Sequence, residues 1–232
     1  MKHYSEFHNI HKDKPGLLIC NGPSLSDVPV SIFTKYPKLG SNSVYANKWL
    51  AERPVDYYFI EGANHLRTPE ERAARMPYID AVGGHYRDGI SLVNRRFIQF
   101  FQHLPNVYAI DYKDERFKSL KGWSYEPFII HATGACVTFA MLQFAYYFGI
   151  NPLLIVGMDH RFEGDDWHFF KDEEAQPFKS MSKAEYDGWK PRAEYAYSIA
   201  QRVFEENGRK ILNLTPDTAC NMFYKDKMEN WI

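Results

Sequence analysis

The sequence predicts an α/β protein with a Rossmann-like, mostly parallel sheet and helices on both faces. Short apolar runs alternate with helical patterns along the chain, which is typical of βαβ construction. Several of these runs are continuous in Val, Ile and Leu, as expected for central parallel strands that are buried on both faces. With 232 residues the chain can bury a sizeable core, so we expect one domain over residues 1–232.

The apolar runs are the expected strands, and they lie at residues 16–20, 39–45, 55–61, 107–112, 152–158 and 210–214. A helix is expected from about Gly134 to Phe148, and because it is apolar on almost every side it should be buried against the sheet. A second helix has one apolar stripe and ends before Gly208, a typical C-terminal cap. Its stripe consists of Ala193, Ala196, Ala200, Val203 and Phe204.

The stretch from residue 161 to 191 differs from the rest of the chain because it is polar, aromatic and acidic. Gly164, Pro177, Gly188 and Pro191 are expected to interrupt any regular pattern within it. An irregular connection of this length inside a domain is usually functional. We therefore predict a lid-like or loop insertion at residues 161–191.

Composition narrows the classes of function. The 28 Lys and Arg residues against 29 Asp and Glu leave a formal net charge of -1, so no overall field attracts nucleic acid or an anionic membrane. Residues 1–15 are too polar for a signal peptide, and the longest apolar stretch, residues 135–150, is too short to span a bilayer. Cys20, Cys136 and Cys220 are far apart in the sequence and lie in apolar stretches, which favours reduced thiols and a cytoplasmic protein.

The first expected strand runs directly into the turn Asn21-Gly22-Pro23-Ser24. In a parallel sheet, the turn after the first strand is where a nucleotide usually meets backbone N–H groups. Gly22 permits close approach of the backbone, Pro23 sets φ for a helical turn, and Ser24 offers a hydroxyl. Asn21 can bind a ligand or brace the turn. The spacing matches neither the P-loop nor G-x-G-x-x-G, so a purely structural turn is an equal alternative.

Polar residues follow other expected strands and the start of the buried helix. Asn42 comes after the second strand, where a ribose or base would lie, and Glu61 closes the third strand. Glu61 could accept hydrogen bonds from ribose hydroxyls, hold Mg²⁺ or cap a helix. Thr133 and Gly134 open the buried helix, where N–H groups and a hydroxyl would hold a phosphate. The alternative is that Thr133 is a simple N-cap.

The fifth expected strand ends in Gly-Met-Asp, which places the Asp159 carboxylate at the same edge of the sheet. Asp159 is therefore the leading acidic candidate. Asp165 and Asp166 follow it and could hold Mg²⁺ together with Asp159, although the spacing matches no zinc signature. His168 lies between two aromatic residues and could act as a general base or acid, because imidazole titrates near neutrality. A solvated or packing histidine is the alternative.

Taken in order, these motifs resemble those of the MptE-like family, named for archaeal 6-hydroxymethylpterin diphosphokinases. From Gly16 to Thr215 the chain carries N-G-P-S-L, S-N, a T-G helix start, L-I-V-G-M-D-H, D-D-W-H and G-R-K-I-L-N-L-T-P. The pattern is also similar to bacterial sialyltransferases that share an N-G-P-S-L loop, a T-S-G helix start and a G-I-D strand end. The resemblance implies a Rossmann-like nucleotide-binding fold over nearly the whole chain.

The resemblance also implies roles for individual residues. In the sialyltransferases a histidine is the base that acts on the acceptor, and His168 is the nearest match here. Arg161 stands where that family has a tyrosine, and an arginine can neutralise a departing phosphate. The residues implied at the nucleotide cleft are Asn21, Gly22, Ser24, Asn42, Thr133, Gly134 and Asp159.

Three functions are consistent with these residues. The leading hypothesis is a nucleotide-dependent transferase, more specifically a glycosyltransferase with a nucleotide or nucleotide-sugar donor and a carbohydrate acceptor. The second is pyrophosphoryl transfer from ATP with Mg²⁺ to a hydroxymethylpterin, which predicts metal dependence. The third is a nucleotide-binding protein without catalysis, which is motivated by Arg161. A homo-oligomer is compatible with each hypothesis, and neither nucleic acid nor a membrane is an expected partner.

Overall fold

A parallel β-sheet organises the chain. The computed structural model describes residues 4–60, 68–69, 73, 76–112, 122–130, 136–161, 169 and 182–232. Within them the sheet has nine strands, and every neighbouring pair is parallel, as the sequence predicts. The strands are β1 Gly16–Ile19, β2 Lys38–Ser41, β3 Tyr57–Ile60, β4 Ile90–Asn94, β5 Val107–Tyr112, β6 Ile129–Ile130, β7 Leu153–Val156, β8 Ile211–Asn213 and β9 Tyr224–Lys225.

The order of the strands creates one topological switch point. Across the sheet the order is β6-β5-β4-β3-β2-β1-β7-β8-β9. The chain therefore moves outward from β1 to β6, returns to the other side of β1 as β7, and continues outward in the opposite direction. Ligands of open α/β sheets bind where the strand order reverses in this way, at the carboxyl ends of the strands. Here that place lies at the ends of β1 and β7.

Helices cover both faces of the sheet, as predicted. They are α1 Ile32–Lys35, α2 Lys48–Glu52, α3 Met76–Gly83, α4 Val137–Tyr147 and α5 Lys183–Glu206 within the described residues. Strand side chains alternate between two hydrophobic clusters, because successive residues of a strand point to opposite faces. Leu153 and Ile155 of β7 pack with α4 and α5, whereas Leu154 and Val156 pack with the cluster of the first three helices.

The helix α4 is buried on nearly all sides, but it begins later than expected. Its N-cap is Cys136, whose φ of -158° and ψ of 154° are extended and whose side chain makes no capping hydrogen bond. The expected start at Gly134 is therefore wrong. The helix begins at Val137, and residues 131–135, including Thr133 and Gly134, lie outside the described residues.

The strand β2 is shorter than its apolar pattern predicts. It ends at Ser41, and residues 42–46 form a turn of 3-10 helix instead of continuing the strand. The physical reason is Asn42, whose φ of +51° lies in the left-handed region and cannot continue a strand. The strands β4, β6 and β9 were not predicted, because β6 and β9 have only two residues each and the polar Ser91 interrupts the apolar run of β4.

The expected insertion at 161–191 is wrong in its last part. Residues 162–168 and 170–181 lie outside the described residues, but α5 begins at Lys183 and includes Gly188 and Pro191. These two residues do not break the helix, because α5 buries its predicted apolar stripe against α4 and the sheet. Tertiary packing overrides intrinsic propensity. The helix ends as predicted before Gly208, whose φ is +68°.

The amino-terminal segment packs across the opposite edge of the sheet from the switch point. Phe7 is 2% exposed within the cluster of α4 and α5. Asn9, His11 and Asp13 donate backbone hydrogen bonds to the carbonyls of Tyr147, Phe148 and Gly149. These bonds satisfy carbonyl groups at the end of α4, which have no partner within the helix. Among the described helices, none has the length and apolar character needed to cross a membrane.

Candidate functional site

The turn after β1 and the tip after β7 are in direct backbone contact. The amide of Cys20 donates to the carbonyl of Val156, and the amide of Gly22 donates to the carbonyl of Gly157, both at 2.9 Å. A 3-10 helix over Pro23–Asp27 follows Gly22, with Pro23 at its first position. The fixed φ of proline suits that position, and its missing N–H is not needed there. The two segments expected at the same edge of the sheet therefore lie together.

Glycine is required on both sides of this contact. A Cβ atom at Gly22 would collide with the carboxylate of Asp159 and lie 2.6 Å from the carbonyl oxygen of Gly157. Gly157 has a φ of +70°, and a Cβ atom there would collide with the carbonyl of Cys20. The close approach of the two backbones is thus the reason that N-G-P-S and G-M-D each contain glycine at this point.

The Asp159 carboxylate is held by Ser24. The hydroxyl of Ser24 donates to Oδ2 at 2.8 Å, and its backbone amide lies 3.3 Å from both carboxylate oxygens. A carboxylate at the start of a short helix satisfies an N–H group that has no partner within the helix. Asp159 therefore reaches the candidate site, but its oxygens are engaged by the turn. A metal ion at Asp159 would have to compete with these bonds.

Two asparagines at the ends of β1 and β2 have unsatisfied carbonyl oxygens. The Asn21 amide nitrogen donates to the carbonyl of Ser41 at 3.0 Å, which fixes the orientation of the side chain because a carbonyl can only accept. Its Oδ1 is buried and, like Oδ1 of Asn42, has no hydrogen-bond partner among the described residues. The backbone of Asn42 is held by Tyr58, whose hydroxyl donates to its carbonyl at 2.7 Å.

The insertion touches the β1 turn. The amide of Phe169 donates to the carbonyl of Asn21 at 3.0 Å, and the hydroxyl of Ser26 donates to the carbonyl of Phe169 at 3.4 Å. Phe169 also packs against the hydrophobic cluster beneath this turn. Phe169 therefore lies at the same edge of the sheet as Asn21.

The loop after β8 holds the β7 tip from the other side. Thr215 Oγ1 accepts from the amide of Met158 at 2.9 Å, and the amide of Ala219 donates to the carbonyl of Asp159 at 2.9 Å. The guanidinium of Arg161 donates to the carbonyl of Asp217 at 2.6 Å. The Thr-Pro-Asp-Thr sequence after an apolar strand is the signal that could have placed this loop at the carboxyl edge.

Sequence analysis missed the role of His160 as a packed site residue. Its side chain is 2% exposed, and Nε2 donates to Oε1 of Glu194 in α5 at 3.3 Å. The rings of Trp189 and Tyr197 lie 5.7 and 5.9 Å from the imidazole. Burial lowers the pKa of His160, and the carboxylate of Glu194 opposes this effect only in part. A histidine that directly follows the strand-end aspartate was the available signal.

The three cysteines form no disulfide among the described residues, and Cys136 and Cys220 lie close enough to Cys20 to interact with it electrostatically. Cys136 Sγ lies 3.3 Å from the hydroxyl of Tyr197. Burial raises the pKa of Cys20, and it raises the pKa of Cys220 to about 11. The Cys20 and Cys220 thiols therefore stay protonated near neutral pH, as expected for small packed side chains, and are poor nucleophiles.

The structure thus brings Asn21, Gly22, Pro23, Ser24 and Asn42 to one edge with Asp159 and Arg161. Among the described residues there is no group of three His, Cys, Asp or Glu side chains that could hold a metal ion. The remaining candidates lie outside the described residues, so their roles stay predictions. They are Glu61, Thr133, Gly134, Asp165, Asp166 and His168.

Fold and site together define a Rossmann-like α/β protein with a polar cluster at the switch point of its sheet. Comparison with known proteins finds no matching protein family and no matching curated protein. Among solved structures, the chain is similar to a variant of the sialyltransferase CST-II in complex with CMP. The two share 13% identity over 90% of this chain and 85% of that chain, with a TM-score of 0.48. This likeness is one of fold alone, and membership of the MptE-like family stays a prediction.

Proposed function

We propose that the chain is a nucleotide-dependent transferase, most specifically a glycosyltransferase that uses a nucleotide-sugar donor. The supporting observation is the pair of buried, unpartnered oxygens, Asn21 Oδ1 and Asn42 Oδ1, at the described carboxyl ends of β1 and β2. A buried polar atom without a partner costs about 1–3 kcal/mol. A ligand that donates hydrogen bonds to both oxygens would remove this cost.

The chemistry of these oxygens favours a particular part of the donor. Amide oxygens only accept, and the Asp159 carboxylate, which accepts from Ser24 in the turn that follows Asn21, also only accepts. Hydroxyl groups of a ribose or sugar, or the amino group of a base, can donate to such a site, whereas a phosphate would meet acceptors. We therefore assign the ribose, base or sugar of the donor to Asn21 and Asn42.

The phosphates require N–H groups or cations. We assign Thr133 and the amides near Gly134 to the phosphates, and Arg161 to the neutralisation of the leaving phosphate. The acceptor hydroxyl would attack the anomeric carbon as the bond to the phosphate oxygen breaks, and its proton would pass to His168. Phe169, which follows His168 in the sequence, contacts Asn21, and this contact supports the assignment.

A thermal-shift screen tests the proposal. The probes are CMP, UDP, GDP and ATP with their sugar conjugates, because a ligand that binds the folded state raises its stability by about 2.7 kcal/mol at 100 times its Kd. We expect at least one sugar nucleotide to raise the Tm. The variant Asn21→Leu should abolish that shift by removing both the acceptor and the bond to Ser41.

The matched control is Asn207→Leu. The Asn207 amide also donates to a backbone carbonyl, that of Val203 at 2.8 Å, but it lies after α5 and away from the switch point. This variant should keep the full ligand-induced shift. If no nucleotide stabilises the protein, or if Asn21→Leu responds like the parent, the proposal is wrong. Binding without turnover of any sugar nucleotide would indicate the non-catalytic alternative.

A further inference from the structure

The residue after Asp159 has a strained backbone. His160 has a φ of +56°, in the left-handed region that residues other than glycine rarely adopt. Such conformations persist where the surrounding structure holds them, and they cluster at functional sites. His160 lies between Asp159, whose carboxylate bonds Ser24, and Arg161, which bonds Asp217. Its conformation therefore sets the direction in which the β7 tip meets the β1 turn.

Helix α5 holds this residue at two points. The Glu194 carboxylate accepts from the buried imidazole, and the hydroxyl of Tyr186 donates to the carbonyl of His160 at 3.3 Å. Lys190 lies 4.0 Å from the same Glu194 oxygen. The side chain and the backbone of His160 are thus both hydrogen-bonded to one helix.

The hydrogen bond defines the protonation of the ring. A carboxylate can only accept, so Nε2 of His160 carries the proton. A neutral imidazole needs an acceptor opposite Nε2 but does not need a negative charge there. This distinction separates a hydrogen-bonded anchor from an ion pair.

We propose that His160 and Glu194 are positioning residues that couple α5 to the nucleotide edge by holding the Asp159 carboxylate against the Ser24 donors. Neither residue touches the ligand. The functional importance of this coupling rests on the proposed nucleotide site, but the coupling itself is a property of the protein without ligand. It makes the first half of α5 part of the binding machinery.

Hydrogen exchange of the Ser24 amide is the direct test, because that amide faces Asp159. In the full-length protein without ligand, Glu194→Ala and His160→Asn should accelerate this exchange by about 3- to 30-fold, in the range of measured couplings between contacting residues. Asparagine tolerates the left-handed backbone but cannot reach Glu194. His160→Asn therefore removes the anchor while keeping the conformation available.

Two further variants complete the design. Glu194→Gln should behave like the parent, because the glutamine oxygen also accepts from Nε2. Glu206→Ala, at an exposed position in the same helix paired with Arg202, is the control and should leave the exchange unchanged. If Glu194→Ala also accelerates exchange in β1 itself, Glu194→Leu is tested in its place. Leucine fills the volume of the glutamate side chain but provides no hydrogen-bond acceptor.

The coupling is overturned if the Ser24 amide exchanges at the parent rate in His160→Asn. It is also overturned if that amide exchanges at the parent rate in both Glu194→Ala and Glu194→Leu. Acceleration in Glu194→Gln equal to that in Glu194→Ala also overturns it, since the hydrogen bond would then not be the anchor. The sugar nucleotide that binds the parent should bind the accelerated variants more weakly. If the parent binds no nucleotide, the proposed function fails while the exchange result stands on its own.

Discussion

The contact between Gly22 and the β7 tip is the tightest constraint on the candidate site at the scale of single residues. Three groups meet there: the Gly22 Cα, the Asp159 carboxylate and the Gly157 carbonyl. Of these, the Gly157 carbonyl belongs to the backbone and cannot move without disturbing the end of β7. Any side chain at position 22 therefore forces the β1 turn and the β7 tip apart.

We expect Gly22→Ala to lower the free energy of unfolding by about 1–3 kcal/mol, the usual cost of overpacking, and to weaken nucleotide binding. The control is Gly188→Ala in α5, where an added Cβ meets no atom within 4 Å. There alanine should stabilise the protein by up to about 1 kcal/mol, because glycine is a poor helix former. Urea unfolding of both variants measures the difference. Equal stability of the two variants would contradict the close contact.

The site residues that sequence analysis assigned to a ligand divide into two chemical kinds. Ser24 and Asp159 satisfy each other, so their first role is to join the two segments. Asn21 and Asn42 instead retain free acceptor oxygens in the described structure. Residue type alone could not separate these roles, since all four are polar residues at strand ends. The separation depends on which atoms face each other in space.

At the scale of elements, the half-buried His11 and the buried His160 make the packing of whole segments depend on pH. His11 joins the amino-terminal segment to β3 through the hydroxyl of Tyr57, 2.8 Å from Nε2. His160 joins the β7 tip to α5. In both residues burial is the largest cause that lowers the imidazole pKa below its ordinary value of 6.5.

The sign of the effect follows from proton binding. When the folded-state pKa is lower, the unfolded chain binds more protons between the two pKa values, so stability rises with pH there. The contribution of such an imidazole to the free energy of unfolding is fully present above pH 6.5. It is lost as the pH falls toward the folded-state pKa. For one imidazole the slope cannot exceed about 1.4 kcal/mol per pH unit.

We therefore expect urea unfolding to show falling stability from about pH 7 to about pH 5. His160→Asn has no imidazole at this position and should show a shallower dependence than the parent. The exposed His103 can be replaced by Asn as a control, with the parent slope retained. A steeper slope in His160→Asn would contradict the direction of the pKa shift.

At the scale of the whole molecule, the strand order decides where a ligand can bind. The β1 and β7 strands are neighbours in the sheet although more than a hundred residues separate them in the sequence. Their carboxyl ends form the switch point, and the β2 end and the loop after β8 flank it. The amino-terminal segment packs at the opposite edge of the sheet, so the polar cluster lies at the carboxyl edge of the strands.

This arrangement gives an expectation about metal ions. Asp159 is the described member of the predicted Mg²⁺ set, and its carboxylate accepts from the hydroxyl and amide of Ser24. A metal ion at Asp159 would have to displace these bonds. We therefore expect the stabilisation by a sugar nucleotide to be the same in excess EDTA as in buffer with Mg²⁺.

To check this expectation, the Tm shift that the sugar nucleotide from the screen causes is measured in EDTA. It is measured again after Mg²⁺ is restored. Asp159→Asn provides a second observation, because it removes the charge but keeps an acceptor for Ser24. It should retain most of the nucleotide-induced shift if the carboxylate positions the turn. A shift that vanishes in EDTA and returns with Mg²⁺ would instead favour the diphosphokinase alternative.

The sequence by itself determined the α/β class, the main strands and the two long helices, because these depend on local hydrophobic periodicity. It also predicted that N-G-P-S and G-M-D follow strands and lie at the same edge of the sheet, since parallel strands present their carboxyl ends there. The β5 strand lies at the predicted residues, 107–112. These features can be predicted from local residue patterns, because they do not depend on contacts between distant segments.

Tertiary structure alone decided how the site is held together. It extended α5 through Gly188 and Pro191, because burial of the helix outweighs local propensity. It ended β2 at Asn42 and paired Asp159 with Ser24, 135 positions apart in the sequence. It also brought the imidazole of His160 within hydrogen-bond distance of the Glu194 carboxylate. Such pairings depend on distances between segments that are remote in the chain, and a one-dimensional pattern of residue types does not contain those distances.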